Sequence, residues 1–289
     1  VLCFTVKSTR DKSSSLSLMI THFHPNGADE ADDDASGSSS EDIEPLDVYA
    51  GLSARFYLRK YYEMTVLPRS DSVSTLWPDA MKSDLDFFQF VVEKTVFFSQ
   101  GFPISAAGIE LGIDKADTVV KRRRQDLLRE QGTLEAVLRI ISKLIPMTEK
   151  LEMIKNGPAK KSKKPVASDE LLAVVNMAQI ILSKCFDLIY YSILDNQENQ
   201  MYVADFMPVL LAHLNAQPLA GKCVTEMLSK NLELQETKIG TREIQIFVDK
   251  LRSSKMNAMY LQLLQSCCSC EGSGVDGNQC KVANMLFSN

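Results

Sequence analysis

The chain has 289 residues, 45% of them hydrophobic and 24% charged, with a net charge of -5. That composition supports one large or two small cores and excludes a collagenous or wholly disordered chain. Seven cysteines, with Cys267, Cys268 and Cys270 crowded together, form an odd set without a signal peptide. This suits a reducing compartment rather than a disulfide framework.

Val1–Val6 (VLCFTV) is rich in β-formers and reads as one strand, too short to stand alone. It implies a missing domain before it, as does a first residue that is not Met. Residues 9–47 are Ser-, Asp- and Gly-rich. Such a segment buries too little surface to offset the entropy of ordering, so a disordered acidic linker is expected. Ala28–Asp47 alone holds nine acids and no basic residue, so removing them from a net charge of -5 leaves +4. The acidic balance therefore says nothing about the folded part, expected over residues 48–289.

From Val48 onward the pattern is helical. A first helix is expected over Val48–Met64, then a loop through Pro68 and the run SDSVSTLWP. Asp84 is an N-cap candidate for Leu85–Ser99, whose apolar residues nearly surround it, and Gly101 and Pro103 end it. Val119–Leu144 reads as a basic helix, a break at Gly132 and a second amphipathic helix capped by Thr133 and stopped by Pro146. On the first of these, Val120, Leu127 and Leu128 share one side, while Arg122, Asp126 and Arg129 share the other. The basic loop Lys155–Pro165 leads to a long apolar helix capped by Ser168 or Asp169 and ending near Leu194. Asn176, Gln179, Lys184 and Asp187 interrupt its apolar run, so it is a buried helix rather than a membrane span.

Further helices are expected over Asn199–Leu214, from Pro218 to about Asn231, over Arg242–Leu251 with Thr241 as cap, over Asn257–Cys270, and over Gln279–Phe287. Strand patterns are essentially missing after Val6. The expected architecture is all-α, an armadillo-like stack of antiparallel helix pairs whose repeats are structural, without a strict sequence period.

Little in the chain supports catalysis. Of three histidines, His22 and His24 lie in the linker and His213 near a helix end, and none pairs with a nucleophile. Gly272, Gly274 and Gly277 match G-x-G-x-x-G, but a Cys-rich helix precedes them where a strand is required. A helix C-cap and loop explain them better. Cys267, Cys268 and Cys270 lack C-x₂-C spacing, and Cys280 cannot complete a zinc knuckle with three thiols on one helix. No cofactor is expected. The basic clusters Lys121–Arg124 and Lys160–Lys164 have no interleaved aromatics, so nucleic acid is not expected either. The Arg122/Arg129 stripe is the one arrangement suited to a multiply charged anion, because guanidinium forks match phosphate. Asp126 opposes it, four residues after Arg122 and three before Arg129.

Arg122–Leu144 (RRRQDLLREQGTLEAVLRIISKL) closely resembles the helical homology domain of inositol trisphosphate receptors and ryanodine receptors, which opens on R-x-R-Q-x-L-x-R-E-Q-x-x-L. NQMYVADF at Asn199, EIQIFVDKLR at Glu243, and Tyr260-Leu261 with LLQSCCSCEG resemble later segments of that domain in the same order. PLDVYAGLSARF near Pro45 resembles its opening helix, and VLCFTVKS the closing strand of the β-trefoil that precedes it, which sets residues 1–8 apart as a remnant of that trefoil.

The resemblance implies the cytosolic, ligand-gating region of a homotetrameric calcium-release channel at the endoplasmic reticulum. Its partners would be other domains and subunits of the same channel, with the membrane reached only through a C-terminal pore region missing from this chain. By position, Arg122, Arg124 and Arg129 match arginines of the inositol phosphate site. The lysine of that site is Asp126 here, and its Tyr-Arg-Lys triplet is Asn196, Gln197 and Glu198. The expectation is therefore a channel domain, not an enzyme, that binds inositol trisphosphate weakly or not at all. The alternative is a stand-alone helical interaction scaffold without channel activity.

Overall fold

The computed structural model describes residues 44–64, 79–102, 104–105, 108–109, 117–146, 169–253 and 257–287. The strand expected over residues 1–8, the linker up to residue 43 and the basic loop Lys155–Pro165 lie outside them. The described residues belong to one unit, Asp42–Asn289.

Among the described residues twelve helices dominate. The first, α1 (Pro45–Met64), begins three residues before the expected Val48 because Asp47 is drawn into the interior. Helix α2 (Asp79–Ser99) also starts early, so Asp84 lies inside it rather than at its cap. Helix α3 (Thr118–Glu130) is capped by Asp117, whose carboxylate accepts from the amides of Val119 and Val120. Helix α4 (Thr133–Lys143) follows after Gly132, which takes a left-handed φ of 77° and is itself the N-cap. Thr133, expected as the cap, instead donates its hydroxyl to the Gly51 carbonyl and ties α4 to α1.

The long helix α5 (Asp169–Ile193) matches expectation. The single helix expected over Asn199–Leu214 is two, α6 (Gln197–Ala204) and α7 (Met207–Ala212). Pro208 supplies the reason, since it has no N–H to donate to the Ala204 carbonyl one turn back. Helix α8 (Pro218–Lys230) is followed by an unexpected α9 (Leu232–Lys238). The two are separated only by Asn231, an extended residue whose side chain caps α9. Then come α10 (Thr241–Ser253), α11 (Ala258–Cys268) and α12 (Asp276–Phe287).

Strands are not absent after Val6. Ile104–Ser105 (β1) pairs with Gly108–Ile109 (β2), and Ser269–Cys270 (β3) with Ser273–Gly274 (β4). The second hairpin ends α11 two residues short of its expected limit. Glu271 and Gly272 form its turn with φ of 49° and 82°, the left-handed pair that a two-residue hairpin requires. The glycines of the G-x-G-x-x-G match thus serve a turn (Gly272), the strand β4 (Gly274) and the start of α12 (Gly277).

Neighbouring helices pack in pairs. Helix α1 lies on α2 and α4, these two lie on α5, α5 on α8, and α8 on α11, which is flanked by α10 and α12. One continuous apolar core runs through them, from Leu58 and Tyr61 through Leu138, Ile141, Phe186 and Ile189 to Met227, Phe247 and Leu263. Buried amides link successive pairs. Gln125 on α3 donates to the carbonyls of Tyr191 (2.7 Å) and Leu194 (3.2 Å) at the end of α5, and accepts from Asn196. Gln235 on α9 repeats this toward α11 and α12, donating to Ser266 (2.9 Å) and Ser269 (3.1 Å) and accepting from Asn278. Gln200 and Gln235 also each reach back seven residues, to the carbonyls of Ile193 and Leu228. These bonds satisfy helix-end carbonyls that would otherwise be buried without donors.

Candidate ligand site

Two sides of α3 do different work. Leu127 and Leu128 are buried in the core. Arg124 is buried too, 4% exposed, and turned toward α1: its Nε donates to Asp47 Oδ2 at 3.0 Å, and its guanidinium lies over the Phe98 ring. A second bond runs to the Phe102 carbonyl, and Arg123 Nη2 reaches the same Asp47 oxygen at 3.2 Å. Arg124 therefore does not join Arg122 and Arg129. A buried carboxylate demands a buried cation, and Arg124 is it.

Arg122 and Arg129 do come together, and with them come two carboxylates. Asp126 Oδ2 lies 3.4 Å from Arg122 Nε, and its Oδ1 lies 3.3 Å from Arg129 Nη1. Glu198, in the first turn of α6, reaches both arginines from across the groove, at 2.9 Å from Arg129 Nη2 and 3.9 Å from Arg122 Nη2. Glu130 adds a third carboxylate at 3.7 Å from Arg129 Nη2, so the charge of the two guanidiniums is fully compensated.

The turn before α6 fixes this arrangement. Asn196 caps α6 by accepting from the Asn199 amide, while its Nδ2 donates to Asp126 Oδ1 at 2.9 Å. Asn199 Oδ1 accepts from Arg129 at 2.8 Å, and its Nδ2 donates to the carbonyls of Gln125 and Ser192. Both asparagines are fully buried. Asp126 is thus held by a buried amide network through Asn196, while Glu198, an exposed side chain, is held by the two arginines. Sequence reasoning identified the charge pattern but not this network. Its signal was the amide-rich run Asn196–Gln200 between two apolar helices.

Beside Arg122 lies a recess of about 200 Å³, lined by Arg122, Asp195, Gln197, Gln200, Lys230 and Glu271. Asp195, held at a φ of 60°, pairs there with Lys121 at 3.1 Å and Lys230 at 3.3 Å. Burial pushes its carboxyl up, but the two ammonium groups outweigh that and hold it below the usual carboxylate range. Gln197 is spent on the Lys230 carbonyl. Among the described residues no three His, Cys, Asp or Glu side chains converge as a metal site, and no helix is long and apolar enough to cross a membrane. Cys267 is buried, which pushes its thiol up to about 12.

The RIH domain (RYDR_ITPR) profile matches residues 96–289, which include every residue of this site. The chain belongs to the RIH domain family. This is a domain family of the inositol trisphosphate and ryanodine receptor calcium-release channels and is not an enzyme family. The RIH chain is also similar to the inositol 1,4,5-trisphosphate receptor itr-1 of Caenorhabditis elegans, with 25% identity over 157 residues. That stretch covers 54% of this chain and 5% of the receptor.

Proposed function

We propose that this RIH domain is a cytosolic regulatory region of a homotetrameric calcium-release channel at the endoplasmic reticulum, and that its inositol trisphosphate binding is weak or lost. It performs no chemistry. It biases a conformational equilibrium through contacts with neighbouring domains and subunits. The buried amides joining one helix pair to the next support an armadillo-like stack suited to that relay.

The observation that carries the ligand reading is the pairing of Arg122 and Arg129 with Asp126 and Glu198. A unit charge about 4 Å away near a protein surface is worth roughly 4 kcal/mol before screening. A trisphosphate approaching this stripe meets two carboxylates held where its own oxygens would sit. Gln197 adds no charge, and Arg124 is committed to Asp47.

Calorimetry with inositol trisphosphate on the full-length polypeptide tests this. Wild-type protein should bind negligibly, and the double variant Asp126→Lys, Glu198→Lys should gain affinity that Arg122→Gln removes again. Submicromolar binding by the wild type overturns the reading of the site. The channel reading is tested separately, by whether the polypeptide, reconstituted in bilayers, conducts calcium as a tetramer.

A further inference from the structure

Helix α1 shows solvent a single stripe that the charged site on α3 does not involve. Leu52, Arg55, Phe56, Arg59, Lys60 and Glu63 are all exposed and recur at the three- and four-residue spacing of one helical face. Ala54, Leu58 and Tyr61 occupy the opposite face and are buried. Phe56 is 70% exposed and Leu52 41%, so two large apolar groups one turn apart stand in water. Singly such residues need no explanation, but here three cations frame them. Arg59 pairs with Glu63 at 3.3 Å, while Arg55 and Lys60 have no acidic partner among the described residues. Glu135 of α4, which like Arg55 lies beside Gly132, is held by Arg139 at 2.6 Å. The stripe is therefore apolar at its centre and positive at its borders.

We propose that this stripe docks an acidic amphipathic helix from another polypeptide. An apolar face with leucine-like side chains one turn apart would cover Leu52 and Phe56, and carboxylates along its flanks would meet Arg55 and Lys60. A second copy of this chain fits badly. A two-fold contact through the stripe would set arginines and lysines against themselves. An anionic membrane fits badly too, because three cations and two exposed apolar residues fall short of the denser clusters that hold a helix on lipid.

The probe is a synthetic amphipathic helix of roughly 18 residues, with leucines on one face and glutamates elsewhere. Its counterpart carries lysine for every glutamate. Binding to the purified chain is read by fluorescence anisotropy. Saturable binding of the acidic peptide is expected, weakened on the order of tenfold by Phe56→Ser and by Arg55→Glu with Lys60→Glu, and weakened by added salt. The lysine peptide should not bind. These positions are exposed, so the variants should melt with the wild type, and a matched melting curve confirms that lost binding is not lost folding. Equal binding of both peptides, undiminished binding by the variants, or no saturable binding overturns the proposal. So does a Phe56-dependent dimer in sedimentation, or Phe56-dependent capture by phosphatidylserine vesicles stronger than peptide binding.

Discussion

Asp47 is fully buried, and its Oδ2 accepts from both Arg123 and Arg124, while Arg124 Nη2 stands 3.0 Å from its Oδ1. Replacing it with asparagine keeps the shape and leaves Arg124 charged and uncompensated in the interior. The expected cost is about 3 kcal/mol in urea unfolding, since breaking one side of a buried pair exceeds the pair's own net worth. Asp195 acts through pH instead. Lys121 and Lys230 hold its folded carboxyl below the ordinary value of 3.8 despite partial burial. Its contribution is therefore present above that value and lost as pH falls through the lower folded one. The urea midpoint of wild type should exceed that of Asp195→Asn at neutral pH, and the gap should close in acid; asparagine tolerates the same left-handed backbone. Legibility at this scale follows sequence distance. Arg122, Asp126 and Arg129 lie on one helix at i, i+4 and i+7, so their pairing could be read directly. Asp47 lies 77 positions from Arg124, and nothing in either neighbourhood announces the contact.

The elements were read from apolar periodicity, which locates α3, α4, α5 and α10 well because each has one buried face. It failed where a single residue changes the path of the chain. The end of α8 near Asn231 was legible, but not that this one extended residue leads straight into α9, and Glu271 takes a backbone conformation its side chain does not advertise. Gly132 was legible, because a helix break followed by a fresh amphipathic run favours a left-handed residue. Its added Cβ would meet nothing closer than Arg55 Nε at 3.6 Å, so strain rather than collision sets the cost of Gly132→Ala. A loss of about 1–2 kcal/mol is expected in thermal or urea unfolding. His213, the cap of α7, tests how α7 is seated on α4. It is buried with Nε2 3.0 Å from the Ile141 carbonyl; burial lowers its pKa below 6.5, and the carbonyl only partly offsets this. The unfolded chain then binds a proton that the folded chain resists, so stability should fall as pH drops below 6.5 toward the lower folded value. Melting temperature compared at pH 8 and pH 5.5 should show this loss, and His213→Asn should reduce it.

Across the whole molecule the question is what makes a row of helix pairs behave as one body. Apolar contact joins each pair to the next, but such contact is tolerant of sliding. The glutamine rungs are not, because each fixes the end of one helix against the side of another. Gln235 donates to Leu228 at 2.5 Å as well as to Ser266 and Ser269, and so ties α8, α9 and α11 at a single amide. Gln235→Leu fills the same space and leaves those carbonyls, and the Asn278 amide, without their partner. Each buried group so stranded costs on the order of 1–3 kcal/mol, partly recovered by local relaxation, so a total loss of about 3 kcal/mol is expected. Gln279 on α12 is the control. It donates to the Cys268 carbonyl but is exposed, and its replacement by leucine should change stability by no more than about 0.5 kcal/mol. The distribution of the loss matters more than its size. In a stack stabilised by nearest-neighbour interfaces, weakening one interface lets the units beyond it open first. Hydrogen exchange in Gln235→Leu should therefore accelerate across α10, α11 and α12 while α1 to α5 keep their protection. Uniform acceleration from α1 to α12 would mean instead that the pairs unfold together and that the rung stabilises the domain without dividing it.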